Sequence, residues 1–333
     1  MILPRPVQIL LYPLSILYGR AVQIRTRLYE KGWLKAKRLK GIVISVGNLT
    51  VGGTGKTPMV LWLAEKFLAE GKKVAILSRG YRGSGGTSDE IELLKHRLGN
   101  RVLFAVGKDR YRVGSSLRSK KPIDIFVLDD GFQHLQLIRD LNILMLDGSV
   151  RLKDEWLLPA GVLREPISAC RRANILVVTR KTERPDVEAG DSHKLSIFYA
   201  QTRLRGFRLA GNQETPSYLS EIGPGPFFGF CGIGNPVAFW NDLKRWHVPL
   251  AGTKEFRDHH RYSTSDVRQL EQAAEQAGAK GFITTEKDEQ NLKERLSFSS
   301  PVYVAVIDFI LSSESEFLAA LDRILAAREG AAA

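Results

Sequence analysis

The sequence predicts an α/β fold: a mainly parallel sheet with helices on both faces, a basic helical segment before it and a smaller α/β domain after it. Three observations predict this. From residue 41 onward, apolar β-rich runs alternate with helical patterns or polar loops, the rhythm of parallel strands joined by crossover helices. A glycine-rich stretch lies between the first such run and the first such helix. Charge is concentrated at the start of the chain. Residues 1–40 hold nine Lys or Arg against one acid, Glu30, so +8 of the net +13 lies there.

The chain has 333 residues, 44% apolar and 26% charged. This is ordinary globular composition, with room for one large or two medium domains. Its two cysteines, Cys170 and Cys231, are far apart and form no CxxC pattern. That suits a reducing compartment, argues against a disulfide framework and a zinc site, and reads each as a small buried side chain.

Residues 1–40 form the first expected module. The apolar run 7–18 is shorter than the ~20 residues a bilayer requires, and Pro13 interrupts it. No small-residue cleavage site follows, which argues against a signal peptide. Eight further cations follow up to Lys40, with Tyr29 and Trp33 among them. Cations interleaved with apolar and aromatic side chains suit a helix lying in the interface of an anionic membrane. A helix packed on its own domain and a nucleic-acid contact are the competing readings. No zinc finger, RNA-recognition signature or stacking platform supports nucleic acid.

The second module spans 41–180, with apolar runs at 42–46, 74–77, 102–106, 123–128, 141–146 and 175–178. After the first run comes Val46-Gly47-Asn48-Leu49-Thr50-Val51-Gly52-Gly53-Thr54-Gly55-Lys56-Thr57-Pro58, and a helical pattern then runs to Glu70. Strand, glycine loop, Gly-Lys-Thr and helix in that order make a phosphate cradle, in which backbone N–H groups point at the anion. The fold is therefore read as P-loop NTPase-like. Thr50, Val51, Gly52, Gly53, Thr54, Gly55, Lys56 and Thr57 are the expected nucleotide-binding residues. Lys56 reaches the terminal phosphates and the Thr57 hydroxyl holds Mg²⁺. The usual first glycine is replaced by Thr50, and the Gly52-Gly53 pair is expected to supply the missing backbone freedom.

In such sheets ligands bind beyond the carboxyl ends of the strands. After the run 123–128 come Asp129 and Asp130, expected to place Mg²⁺ or its waters. After 74–77 comes a glycine-rich, anion-facing loop from Ser78, and then Asp89-Glu90 opens a helix. Spacing alone reads Asp89 as the cap of that helix. Arg164, in a proline-punctuated loop, is equally suited to a phosphate or to a structural ion pair.

Residues 181–195 read as a linker, and 196–333 as the smaller α/β domain. Its strands are expected at 195–200, 227–230, 281–285 and 302–309, and its helices at 237–246, 264–277 and 313–327. His259 and His260 are adjacent and share no helix face, so they do not make a metal pair. Beside Asp258, one of them could be tuned as a proton carrier.

Seven runs together resemble a known family. They are the glycine-rich run from Asn48 to Pro58, Ser78-Arg79-Gly80-Tyr81, Asp129-Asp130-Gly131-Phe132-Gln133-His134, Leu158-Pro159-Ala160-Gly161 with Leu163-Arg164-Glu165-Pro166, Gly232-Ile233-Gly234-Asn235-Pro236, Phe256 with Asp258-His259, and Thr284-Thr285-Glu286-Lys287-Asp288. The chain resembles the tetraacyldisaccharide 4′-kinases of lipid A biosynthesis over nearly its whole length. The resemblance implies an ATP- and Mg²⁺-dependent kinase on the cytoplasmic face of the bacterial inner membrane. It would phosphorylate the 4′-hydroxyl of an acylated glucosamine disaccharide 1-phosphate, with no nucleic acid and no obligate protein partner. The family's base lies in a Gly-Asp-Glu-Pro stretch and pairs with a histidine; Asp89 and His259 match those positions, with Ser88 and Ile91 in place of the flanking Gly and Pro. Asn48, Arg79, Tyr81, Gln133, His134, Arg164 and Glu165 are implied around the substrate.

Two rivals belong to other classes. A membrane-positioning or partitioning ATPase uses a similar loop, but usually has a lysine where this chain has Val51. A non-catalytic lipid- or nucleic-acid-binding module needs neither the loop lysine nor the paired aspartates.

Overall fold

The computed structural model describes residues 4–80, 88–180, 195–212, 215–292 and 297–330. The chain divides into two compact units. The first comprises 1–87, 97–201 and 309–333, and the second 88–96 and 202–308. Two segments cross the boundaries expected from sequence. Residues 88–96 belong with the second unit, and the C-terminal residues from 309 belong with the first. The expected linker, 181–195, lies outside the described residues except for Leu195.

In the first unit, helix α1 (Arg5–Glu30) precedes strand β1 (Ile42–Asn48), helix α2 (Lys56–Ala69) and strand β2 (Val74–Ser78). Strand β3 (Leu103–Val106), helix α4 (Arg110–Lys120) and strands β4 (Ile125–Asp129), β5 (Leu141–Asp147) and β6 (Ile175–Thr179) follow. The strand order is β3-β2-β4-β1-β5-β6, with the start of β7 (Ser196–Leu209) next to β6. The pairings of β1 with β4 and β5, of β2 with β3 and β4, and of β6 with β5 and β7 are all parallel. Burial explains the composition of these strands. β2, β4 and β6 are buried at every position, so they read as continuous apolar runs rather than as alternating ones. Helix α8 (Glu314–Gly330) also belongs to this unit. Its Phe317 is fully buried, edge-on to Trp62 of α2 and Phe198 of β7.

The site-bearing end of the sheet is tightly packed. Gly47 of β1 lies against the Phe132 turn, where an added Cβ would fall 2.6 Å from Phe132 Cβ and 2.7 Å from its backbone nitrogen. Gly47→Ala is therefore expected to cost about 1–3 kcal/mol through overpacking. Thermal unfolding checks this, and an unchanged melting temperature would show that the turn yields.

α1 runs unbroken through Pro13, the residue that interrupts the apolar run of the sequence. A proline inside a helix costs about 3 kcal/mol, and the next turns are anchored well enough to offset it. Ser15 Oγ donates to the Leu157 carbonyl at 2.9 Å and accepts from Ala160 N–H at 3.0 Å. Tyr18 donates to the Arg164 carbonyl at 2.8 Å, and Gly19 is buried where a Cβ would sit 2.6 Å from Leu157. The helix is 26 residues long. By length and composition it is long and apolar enough to cross a membrane, unlike the shorter apolar run alone. Its other face is open: Leu10 is 78% exposed and Leu17 61%.

The second unit contains helix α3 (Asp89–Leu98) and strands β8 (Phe227–Cys231), β9 (Leu250–Glu255), β10 (Phe282–Thr285) and β11 (Val302–Leu311). Helices α5 (Pro236–Arg245), α6 (Thr264–Gln276) and the short α7 (Glu286–Glu289) complete it. The strand order is β7-β11-β10-β8-β9. β10 is parallel to β11 and β8, and β8 is parallel to β9. One core joins Phe207, Phe227, Phe239 and Leu243; another joins Phe230, Tyr262, Leu270 and Phe282. β9 was not expected from sequence, because its six residues Leu-Ala-Gly-Thr-Lys-Glu are half-buried to exposed and make no apolar run.

Candidate functional site

In the first unit the glycine loop links β1 to α2. Gly52 has φ +115° and Gly55 φ +84°, the latter at the start of α2. These left-handed conformations carry little penalty only for glycine. The freedom expected of the Gly52-Gly53 pair thus falls on Gly52 and Gly55. The loop is tied down on several sides. Val51 N–H donates to Val162 O at 2.8 Å, and Arg164 N–H to Leu49 O at 2.7 Å. Thr179 Oγ1 donates to Thr54 O at 3.3 Å, and Arg180 Nη1 to Gly53 O at 3.0 Å.

The bond between Arg164 and Leu49 brings the proline-punctuated loop beside the phosphate cradle. There the Arg164 guanidinium donates to both oxygens of Asp130, at 2.8 and 2.7 Å. Lys56 Nζ lies 3.6 Å from Asp130 Oδ1 and donates to Asn48 Oδ1 at 3.2 Å. Burial favours protonation of Asp130, but the charges of Lys56 and Arg164 outweigh it and hold the carboxyl below its ordinary range. Asp130 has φ +51°; this turn aims it at the lysine. Asp129 ends β4 and is buried.

The candidate substrate residues fall in different places. Asn48 is fully buried, and it braces Lys56 and accepts from Gln133 Nε2 through its carbonyl. Glu165 is buried and paired with Arg172 at 2.5 Å. His134 is buried, its Nδ1 3.2 Å from Arg110 Nη1. Burial and the charges of Arg110 and Arg139 push its pKa down to about 4, so the imidazole is neutral at neutral pH and accepts a hydrogen bond from the Arg110 N–H. Arg79 is exposed after β2, and Tyr81 lies outside the described residues.

Two arginines escaped the sequence reading. Arg110 opens α4 beyond the carboxyl end of β3, where ligand-facing residues gather, and Asp130 and Asp129 act on it electrostatically. Arg139 donates from Nη1 to the carbonyls of Gly131, Phe132 and His134 and so shapes the aspartate turn. The position of Arg110 after a strand was a usable signal; Arg139 had none.

In the second unit, Ser88 rather than Asp89 caps α3, since Ser88 Oγ accepts from Ile91 N–H at 3.4 Å. Asp89 is thereby released for another role. Its Oδ1 lies 2.7 Å from His259 Nδ1. The Asp89 side chain is 3% exposed, whereas that of His259 is 42% exposed. Burial favours the neutral acid, but the His259 bond and the Lys287 charge outweigh it and hold Asp89 far below the usual carboxylate range. The bond to Asp89 raises the proton affinity of His259 above its ordinary value, against burial. His259 itself has φ +60°. The pair consists of an ionised, oriented carboxylate and an outward imidazole.

The family model for tetraacyldisaccharide-1-P 4′-kinase (LpxK) matches residues 7–326. The chain belongs to this kinase family. It is 40% identical to the tetraacyldisaccharide 4′-kinase of Geobacter metallireducens over 342 aligned positions, covering 97% of this chain and 100% of the relative. It is 38% identical to that of Geobacter sulfurreducens, covering 93% and 92%. A crystal structure of "apo" form LpxK from Aquifex aeolicus in complex with ATP superposes with a TM-score of 0.75 at 32% identity, covering 96% of this chain and 99% of that one. Family membership removes the partitioning ATPase and the non-catalytic module as readings.

Proposed function

We propose that this chain transfers the γ-phosphate of ATP to the 4′-hydroxyl of a tetraacylated glucosamine disaccharide 1-phosphate, giving the 1,4′-bisphosphate. The observation that carries the reading is the convergence of Lys56 and Arg164 on Asp130 beside the glycine loop. Two cations and oriented N–H groups suit the β- and γ-phosphates. The Thr57 hydroxyl and the carboxylates of Asp129 and Asp130 are hard oxygen donors that fit Mg²⁺. Mg²⁺, when bound, neutralises charge on the phosphates.

Positioning and electrostatics carry most of phosphoryl transfer. Lys56, braced by Asn48, draws charge from the terminal phosphates as Arg164 exchanges its carboxylate partner for a phosphoryl oxygen. The Asp89–His259 pair of the second unit receives the proton of the 4′-hydroxyl. Asp89 is ionised at neutral pH and so is ready to accept. His259, with its raised affinity, gives the proton a place to rest. Arg110 and His134 would steady the phosphoryl group or the sugar.

The acyl chains of such a substrate stay in a bilayer, which assigns α1 its role. We place the enzyme on the cytoplasmic face of the inner membrane, with Leu10, Leu14 and Leu17 in the interface and the cations that follow them facing anionic headgroups. Burying a leucine contributes about 1.5–3 kcal/mol. Leu10→Asp with Leu17→Asp is therefore expected to weaken binding to anionic vesicles at least about tenfold, without lowering the melting temperature. Vesicle sedimentation checks this, and unchanged binding would assign α1 to packing alone.

The function is tested by incubating the protein with labelled ATP, Mg²⁺ and detergent-dispersed tetraacyldisaccharide 1-phosphate. A bis-phosphorylated lipid labelled at the 4′ position is expected. Label appearing only as inorganic phosphate would discard the acceptor.

A further inference from the structure

The run Thr284-Thr285-Glu286-Lys287-Asp288 is one of those that carry the resemblance, and its Lys287 charge already acts on Asp89. It forms the end of β10 and the first three residues of α7, and it reaches the proton-accepting pair directly. Asn291 Nδ2 donates to Asp89 Oδ2 at 3.2 Å. Lys287 Nζ lies 3.6 Å from the same oxygen, 3.3 Å from Glu90 Oε1 and 3.1 Å from Asp258 Oδ1. His259 Nε2 is 3.6 Å from both Glu90 and Asp258. Three carboxylates thus surround one imidazole, with Lys287 as the balancing cation.

We propose that Lys287 and Asn291 are positioning residues of this pair: Asn291 fixes the carboxylate plane of Asp89 by holding Oδ2, and Lys287 offsets the acids around His259. The proposal rests on the reading of Asp89 and His259 as the proton acceptor.

The segment is itself anchored to the histidine loop. Asp288 is buried; it accepts from Gly232 N–H at 2.7 Å, from Tyr262 Oη at 2.8 Å and from Thr285 Oγ1 at 2.6 Å. The Gly232 carbonyl in turn accepts from His259 N–H at 3.0 Å. Gly232 has no room for a side chain, since a Cβ would fall 2.9 Å from the Arg257 carbonyl and 2.9 Å from His260 Cβ. The Asp288 carbonyl accepts from Asn291 N–H at 2.9 Å. One buried aspartate therefore sets the position of both residues that hold Asp89 and of the backbone that carries His259.

The sign of the Lys287 effect follows from charge. A cation beside the pair lowers the proton affinity of Asp89 and of His259 alike. Without it, Glu90, Asp258 and Asp89 would stabilise the imidazolium, and His259 would stay protonated to higher pH. A protonated His259 has no capacity left for the hydroxyl proton, so turnover fails on the acid side.

The test uses the full chain in four forms: wild type, Lys287→Met, Asn291→Ala, and Lys287→Arg as the conservative control. His259 is titrated by NMR, and kcat/KM for lipid phosphorylation is followed against pH. Lys287→Met is expected to raise the His259 midpoint by about half a unit or more. The acid limb of kcat/KM moves the same way, and Lys287→Arg restores both. Asn291→Ala keeps every charge, so it is expected to lower kcat about tenfold with KM and the acid limb in place. An unmoved His259 midpoint in folded Lys287→Met overturns the Lys287 role. A moved midpoint with an unmoved acid limb overturns instead the assignment of the proton to this pair. Asn291→Ala with kcat within twofold of wild type overturns the Asn291 role.

Discussion

Asp89→Ala is expected to lower kcat for lipid phosphorylation by about 10²–10⁴-fold, the range for loss of a general base, with KM for ATP little changed. The carboxylate does two things that alanine does not. It holds an ionised oxygen ready for the proton, and it fixes the His259 ring through Nδ1 at 2.7 Å. Asp89→Asn keeps the volume and is expected to fail almost as badly, because the amide has no charge with which to stabilise a protonated imidazole. His259→Ala is expected to cost less than Asp89→Ala, and the double variant little more than Asp89→Ala alone, since groups acting as a unit are not additive. Rates measured at saturating ATP and lipid check this. Equal, independent losses for the two residues would show that they do not act together.

Lys56→Ala is the second large effect, expected to lower kcat/KM about 10²–10³-fold, as loss of one charge-stabilising donor does. Lys56 approaches Asp130 at 3.6 Å and is held by Asn48 at 3.2 Å, so its position is set before any nucleotide binds. Removing it leaves Asp130 with Arg164 as the cation bonded to both its oxygens. That guanidinium is then retained by the carboxylate rather than released to phosphate, so the variant loses part of the arginine contribution too. Lys56→Arg should not rescue, because the planar fork is longer and is shaped for two oxygens rather than one. Steady-state kinetics with ATP varied at fixed lipid provides the check, and a loss confined to KM would mean that Lys56 only binds.

The phosphate cradle was legible in the sequence because the chemistry demands it locally. Glycine, lysine and hydroxyl stand within a few residues of each other, between a strand and a helix. Strands β1, β2, β4, β5 and β6 were legible for a similar reason, as buried parallel strands are continuous apolar runs; the half-buried β3 was legible because it is apolar throughout. What was not legible depends on side-chain direction or on distant chain. Nothing in the pair Asp129-Asp130 tells which one faces Lys56; a backbone φ of +51° at Asp130 decides it. Asp89 opens a helix and reads as its cap, until Ser88 is seen to take that place. Its partners His259, Lys287 and Asn291 lie 170 or more residues away. The residues alone left His259 and His260 as alternatives beside Asp258, the family resemblance chose His259, and nothing pointed to Asn291. The assignment of 88–96 to the second unit has the same cause, since those contacts are non-local.

The most direct test of the account is to count ATP consumed and 4′-phosphate formed in the same reaction, for wild type and Asp89→Ala, with and without the lipid acceptor. The account predicts one lipid phosphate per ATP for the wild type, little ATP loss without lipid, and near-complete loss of lipid phosphorylation in Asp89→Ala while ATP still binds. Lipid phosphorylation by Asp89→Ala within a few-fold of wild type would contradict it, and would move the proton acceptor away from the Asp89–His259 pair.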